Sequence, residues 1–246
     1  MSNFLLKTEN LTKSFKGEMV INDVSLSVRD SKIYGLLGVN GAGKSMILKM
    51  IIGMIKPTSG TIYFQDHEIN RNDLFKIGSF IESPALYNNL TAYENLKIYT
   101  ALLSIDEKRI TEILRIVGIS NTKHKLVSKF SLGMKQRLGI AIALIAHPKL
   151  LILDEPANGL DPLGIIELRK LINSLSAQGI TIIMSSHILS EISQLADDIG
   201  IINKGKLVYE NENNNNLNLE QIFADAIIKE SWIKFWGGVI QAWFHI

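Results

Sequence analysis

Gly38-Val39-Asn40-Gly41-Ala42-Gly43-Lys44-Ser45 lies between an apolar run, Ile33-Tyr34-Gly35-Leu36-Leu37, and a segment with helical spacing over 46–54. The octet has the G-x-x-x-x-G-K-[ST] pattern of a phosphate-binding loop, in the strand-loop-helix setting that the pattern requires. Gly38, Gly41 and Gly43 open turn geometries closed to bulkier residues, so successive N–H groups turn toward phosphate oxygens. The helix that follows adds the positive end of its dipole. Lys44 is expected to reach the β- and γ-phosphates, and the Ser45 hydroxyl to ligate Mg²⁺. A nucleoside triphosphate with its magnesium is the implied ligand.

A second stretch turns binding into reaction. Leu150-Leu151-Ile152-Leu153-Asp154-Glu155 is four apolar residues ending in two carboxylates, bounded by Pro148 and Pro156. A short run of this kind reads as a central parallel strand buried on both faces. Acids at its end face the cleft beyond the carboxyl edge of the sheet. Asp154 is expected to hold magnesium through water, because Mg²⁺ keeps most of its hydration. Glu155 is expected to accept a proton from the water attacking the γ-phosphate, or to orient it. A surface Asp-Glu pair capping a turn is the plainer alternative, and the phosphate loop in the same chain weighs against it.

The third motif is Lys129-Phe130-Ser131-Leu132-Gly133-Met134-Lys135-Gln136-Arg137, ahead of an apolar, small-residue helix over 138–146. Here the chain resembles the ATP-binding-cassette (ABC) ATPases, whose Leu-Ser-Gly-Gly-Gln signature opens a helix shortly before the acidic strand. Ser131 and Gly133 match that signature; Leu132 and Met134 depart from it. By resemblance, Ser131 and Gly133 contact the ATP held by a second copy of the domain. Ser131 also suits an ordinary helix N-cap, and the two roles are compatible. Within the phosphate loop the resemblance adds Asn40, Ala42 and Met46 to the residues that contact nucleotide.

Further positions resemble the same family. Asn158-Gly159-Leu160-Asp161-Pro162 is similar to its D-loop, which implies that Asp161 lies at the dimer interface beside the nucleotide; Pro162 also fits a first helical turn. His187, beyond the apolar strand 180–184 and Ser185-Ser186, matches the switch histidine, a catalytic partner of Glu155 and Lys44 that senses the γ-phosphate. Phe15 matches the aromatic that stacks on adenine, and an aromatic there also suits a core.

One position breaks the pattern. After the strand around 76–81 most ABC ATPases carry a glutamine that touches magnesium and sits against the membrane partner, whereas this chain has Glu82, followed by Ser83-Pro84-Ala85-Leu86-Tyr87. A carboxylate binds the metal harder than an amide but adds negative charge beside the phosphates. The substitution resembles the glutamate-bearing loop of ABC subunits that protect lantibiotic producers from their own peptide. Drift in a general drug, lipid or other exporter is the alternative.

Composition bounds the remaining classes. The chain has 246 residues, 46% of them hydrophobic, a net charge of +2 and no cysteine. That is enough for a sizeable core, with no broad basic face for nucleic acid and no thiolate metal site or disulfide. The N-terminus lacks the apolar stretch of a secretory signal, and no segment approaches the roughly 20 apolar residues of a spanning helix. The expected place is therefore the cytoplasmic side of the membrane, peripheral through a permease on other chains that makes most contacts with the transported peptide. A soluble, non-transport ABC ATPase would need tandem cassettes or a long coiled-coil insertion, and this chain carries neither.

The expected fold class is α/β, a P-loop NTPase core with a mostly parallel sheet, N-terminal antiparallel strands and an inserted helical subdomain. Strands are expected over 4–7, 24–28, 61–65 and 206–210, with turns at Lys16-Gly17-Glu18 and Thr58-Ser59-Gly60. Helical stripes run through Ile110, Ile113, Leu114 and Val117, and through Leu168, Leu171, Ile172 and Leu175 up to Gly179. The cassette is expected over 1–230 with its helical lobe at about 83–147. Residues 211–216 read as a polar linker and 217–229 as a closing helix. The aromatic tail 231–246 has no assigned role. Two copies are expected to close face to face on two MgATP.

Overall fold

The computed structural model describes residues 3–82, 85–213 and 218–226. The chain opens with β1 (Phe4–Phe15), β2 (Glu18–Val24), β3 (Ser27–Arg29) and β4 (Ile33–Leu37), followed by α1 (Lys44–Ile51). Next come β5 (Ser59–Phe64), β6 (His67–Glu68), a 3-10 turn at Asp73–Lys76 and β7 (Ile77–Phe80). Three helices then precede β8 (Leu150–Asp154): α2 (Ala92–Leu103), α3 (Lys108–Ile116) and α4 (Leu132–Leu144). The remainder alternates as α5 (Pro162–Ala177), β9 (Thr181–Ser186), α6 (Leu189–Ser193), β10 (Asp198–Asn203) and β11 (Lys206–Glu212). Residues 219–226 are helical, in agreement with the described part of the expected closing helix; the tail 231–246 lies outside the described residues.

Two sheets result. The antiparallel one runs β2-β1-β5-β6, with β3 also paired to β1, and the other runs β11-β10-β4-β9-β8-β7. In the second sheet every pairing is parallel except β10 with β11. Its central strands β4, β8, β9 and β10 are buried on both faces and divide their side chains by alternation. Tyr34, Leu36, Leu150, Ile152 and Ile183 join α1 and the antiparallel sheet in one core. Ile33, Leu37, Leu151, Leu153, Ile182 and Met184 join α4, α5 and α6 in the other. Each such fully buried side chain contributes about 1.5–3 kcal/mol relative to exposure.

Both helical stripes read from the sequence are buried as expected: Ile110, Ile113, Leu114 and Val117 around α3, and Leu168, Leu171, Ile172 and Leu175 on α5. Three strand expectations are corrected. The strand expected at 24–28 is two strands, because the buried Thr8 hydroxyl donates to the Val24 carbonyl and accepts from Leu26 N–H, turning the chain between them. The strand expected at 4–7 continues to Phe15, since β2, β3 and β5 all pair along β1. Asn211 and Glu212, read as the start of a linker, belong to β11 and pair with Ile199 and Asp198. Ladder hydrogen bonds are made by backbone, so a polar composition does not exclude an edge strand.

The turn into β7 is held by one buried carboxylate. Asp73 accepts from Lys76 Nζ at 2.9 Å, from His67 Nε2 at 2.8 Å and from Asn70 N–H at 3.2 Å. Burial opposes its charge, but the hydrogen bonds from Lys76, His67 and Asn70 outweigh that and hold the carboxyl down at about 2. The stabilisation is therefore complete above its ordinary value of 3.8 and lost as the pH falls through about 2. Asp73→Asn is expected to cost about 1–2 kcal/mol in urea denaturation at neutral pH, the solvent-facing lysine and histidine limiting the effect. The difference from the parent protein should shrink as the pH is lowered to about 2 and disappear below it; a difference of the same size at neutral pH and at about pH 2 would count against this role.

Candidate functional site

All five residues of β4 are buried, and the strand delivers Gly38 to the carboxyl edge of the sheet. Gly41 and Gly43 have φ of 77° and 110°, as expected of residues that turn the loop inward. Gly38 serves differently. A Cβ there would come within 2.5 Å of the Ile202 carbonyl oxygen, so its smallness admits β10 rather than a left-handed turn. The loop is braced from the same side, Gly205 N–H donating to the Ala42 carbonyl at 2.8 Å. Lys44 is 5% exposed and folds back across the loop, its Nζ 2.8 Å from the Gly38 carbonyl.

The parallel sheet brings the acidic pair to the same edge. Asp154 pairs with Ser185 across β8 and β9, while Leu37 pairs with Ser186 across β4 and β9. The Ser185 hydroxyl donates to Asp154 Oδ1 at 2.5 Å and accepts from Glu155 N–H at 2.9 Å, so one buried serine orients both acids. Glu155 has φ of 50°, a left-handed backbone that turns its side chain back over the loop. One carboxylate oxygen lies 3.0 Å from Lys44 Nζ and the other 2.8 Å from His187 Nδ1. His187 is fixed in turn by Ser186, whose hydroxyl donates to buried Glu191 at 2.7 Å and accepts from Ile188 N–H at 2.9 Å.

The expected residues thus divide into two places. Lys44, Asp154, Glu155 and His187 meet at the ends of β4, β8 and β9, with Ser45 on the first turn of α1. Ser131 and Gly133 line a separate groove with Gly159, Leu160 and Asp161. Among the described residues no hydrogen bond or ion pair joins Ser131 or Gly133 to the phosphate loop. Ser131 caps α4, accepting from Met134 N–H at 3.3 Å, and Asp161 caps α5, accepting from Gly164 N–H at 2.9 Å with Pro162 following. Phe15 ends β1 at 45% exposure, with Lys13 Nζ 4.8 Å from its ring centre.

Glu82 has an unforeseen partner. Its carboxylate pairs with Lys49, four residues beyond Ser45 on α1 and hence one turn further along the same face. The added negative charge at this position is thereby answered by a lysine. Ser185, Ser186, Glu191 and Lys49 all escape a reading of the sequence, because each acts through a strand register or a loop-to-helix contact between distant segments. Asp154, with one oxygen taken by Ser185, and the Ser45 hydroxyl are hard oxygen donors that suit Mg²⁺. Among the described residues no group of three or more His, Asp or Glu side chains forms a metal cage.

A phosphate loop between strand and helix, with a buried aspartate and a lysine-paired glutamate at the adjoining strand end, defines a P-loop nucleotide-hydrolysing domain. The pattern characteristic of the ABC transporter family matches residues 21–158, and the chain belongs to that family. The lantibiotic transport ATP-binding protein SrtF of Streptococcus pyogenes is 51% identical over 92% of this chain and 99% of its own length. The bacitracin transport ATP-binding protein BcrA of Bacillus licheniformis is 52% identical over 84% of this chain and 69% of its own. Among solved structures, cbiO1 from Clostridium perfringens, part of the ABC transporter complex cbiONQ, superposes with a TM-score of 0.80 at 27% identity, covering 100% of both chains. The protein is the ATP-binding subunit of an ABC transporter, and its ATP hydrolysis is coupled to transport.

Ser185→Ala should leave the sheet folded, yet free both acids from their shared hydroxyl. The expected result is ATP hydrolysis slowed by about 10- to 100-fold, with nucleotide affinity little changed. Steady-state turnover beside equilibrium binding of a fluorescent ATP analogue reads both; an unaltered rate would remove Ser185 from the site.

Proposed function

We propose that this chain powers the expulsion of a lantibiotic-type antimicrobial peptide, as part of self-immunity, from the cytoplasmic side of the membrane. The observation that carries the catalytic reading is the Glu155 carboxylate held between Lys44 and His187 beside Asp154. Lys44 and the loop N–H groups bind the β- and γ-phosphates, and Phe15 stacks on adenine. Ser45, Asp154 and Glu82 would hold Mg²⁺, Asp154 through water, and the bound ion would neutralise phosphate charge. Water then attacks the γ-phosphorus, the bond to the β-phosphate oxygen breaks, and the water's proton passes to Glu155. His187 meets Glu155 through Nδ1, and that contact is the one the ring adjusts when the γ-phosphate is present.

The groove at Ser131 and Gly133 lies apart from this chain's own loop, which supports a composite site. Two copies close face to face, each supplying Lys44, Ser45, Asp154 and Glu155 to one nucleotide and Ser131, Gly133 and Asp161 to the other. Hydrolysis and phosphate release reopen the pair. Among the described residues no helix is long and apolar enough to cross a membrane. The likeness to a transport ATP-binding protein supports a cargo path on permease subunits of separate chains. A groove beside Glu82 suits their docking: it includes Met54 and Phe75, both 66% exposed, with Tyr99 and Leu103. The lantibiotic cargo is supported by the SrtF likeness along nearly the whole relative and by the glutamate at position 82. The BcrA likeness favours a second reading, in which the cargo is a bacitracin-like peptide.

Glu155→Gln is expected to bind ATP but hydrolyse it at least about 100-fold more slowly, accumulating as a nucleotide-trapped dimer in light scattering. Near-normal turnover would take Glu155 out of the mechanism. For the cargo, co-expression with candidate permease subunits in a sensitive host should raise resistance to a lantibiotic more than to bacitracin, and the reverse ranking would select the second reading. Glu82→Gln should keep nucleotide binding while changing the resistance conferred; unchanged resistance would make the substitution neutral.

A further inference from the structure

We infer that Gln136 is a positioning residue that fastens the signature helix α4 to the D-loop of its own chain, so that the edge offered to a partner's nucleotide moves with Glu155. The inference rests on the composite-site reading. Gln136 is buried within α4, and its side-chain amide donates to the Asn158 carbonyl at 2.9 Å. Asn158 N–H donates onward to the Glu155 carbonyl at 3.1 Å. Two hydrogen bonds across a single residue therefore connect the backbone of Glu155 to the helix that Ser131 caps.

Apolar contacts run alongside. A Cβ on Gly159, whose φ is 75°, would lie 2.8 Å from Leu132 Cδ2, and one on Gly133 would lie 3.3 Å from Leu160 Cδ2. Each leucine thus covers a glycine of the opposite segment. Leu132 is a position at which this chain departs from the family signature, and the contact with Gly159 gives the departure a use. Arg137 extends the connection, bonding the Val117 carbonyl at 2.7 Å and Glu167 of α5 at 2.7 Å. Gln136 Oε1 has no hydrogen-bond partner among the described residues. A methionine of similar length would fill the space without burying an amide, so the bond to Asn158 is what the amide secures.

The consequence is that the two sites of a closed pair are not independent. Each chain gives Glu155 to one nucleotide and Ser131 to the other, and Gln136 joins the two within one protomer. Coupling of this kind is visible as cooperativity. The test uses the full chain and compares the ATP dependence of hydrolysis for the parent and Gln136→Met, with unfolding temperature and affinity for a fluorescent ATP analogue measured on both. In the parent the Hill coefficient should exceed about 1.5; Gln136→Met should bring it to about 1 with maximal rate lowered about tenfold and nucleotide affinity within about twofold. A purely structural role would lower the unfolding temperature and rate while leaving the Hill coefficient where it was.

A cooperative parent with an equally cooperative Gln136→Met overturns the inference and leaves the pairing of two copies intact. A parent that hydrolyses ATP without cooperativity and without dependence on its own concentration overturns the pairing, and the inference with it. Should Gln136→Met fail to fold, Leu132→Gly removes the parallel apolar contact while restoring the family's residue. A fall in its Hill coefficient supports the connection, and an unchanged one overturns it.

Discussion

The register between β8 and β9 is the constraint on which the site depends. By setting Asp154 opposite Ser185, with Leu37 opposite Ser186 on the neighbouring ladder, it brings three segments far apart in the chain to one edge of the sheet. A parallel ladder has side-chain period two, so a slip by one residue would turn Ser185 away from Asp154 and exchange the two cores for each other. The apolar residues of β4, β8 and β9 are sorted into those cores by alternation, which makes such a slip costly. The packing that stabilises the fold and the geometry that orients the acids are therefore one and the same specification.

Charge balance is the second organising feature. Lys44 and Lys49 face Glu155 and Glu82, while Asp154 takes a neutral hydroxyl as its partner. In a buried site unit charges interact far more strongly than in water, so a triphosphate entering here has to be met by several positive contributions at once. On the proposed reading Lys44 would supply one, the N–H groups of the loop and the dipole of α1 others, and a divalent cation would complete the set. In the proposed mechanism the lysine paired with Glu155 would exchange one anionic partner for another when phosphate arrives, and would never be left uncompensated.

The local parts of this arrangement were legible in the sequence, and the non-local parts were not. The phosphate loop is readable because its geometry is set by consecutive residues, and the acidic pair because it terminates an apolar run. The stripes on α3 and α5 are readable from a 3.6-residue period. Ser185 is different: nothing within 180–187 indicates that its hydroxyl bridges two acids, because that follows from the partner strand. The Lys49–Glu82 pair depends on where α1 lies against the end of β7. The break between β2 and β3 depends on the hydroxyl of Thr8 in a third strand. Asn211 and Glu212 misled through composition, since the edge of β10 binds any backbone that reaches it.

Glu155 occupies a left-handed backbone conformation, with φ of 50°. Such a conformation suits glycine or asparagine better than glutamate and suits β-branched residues least, so chain conformation and chemistry ask for different residues at this point. A library randomised at position 155 would consequently split according to what is selected. Survival of folding would enrich the residues that relax the turn, whereas survival of turnover would return the strained carboxylate.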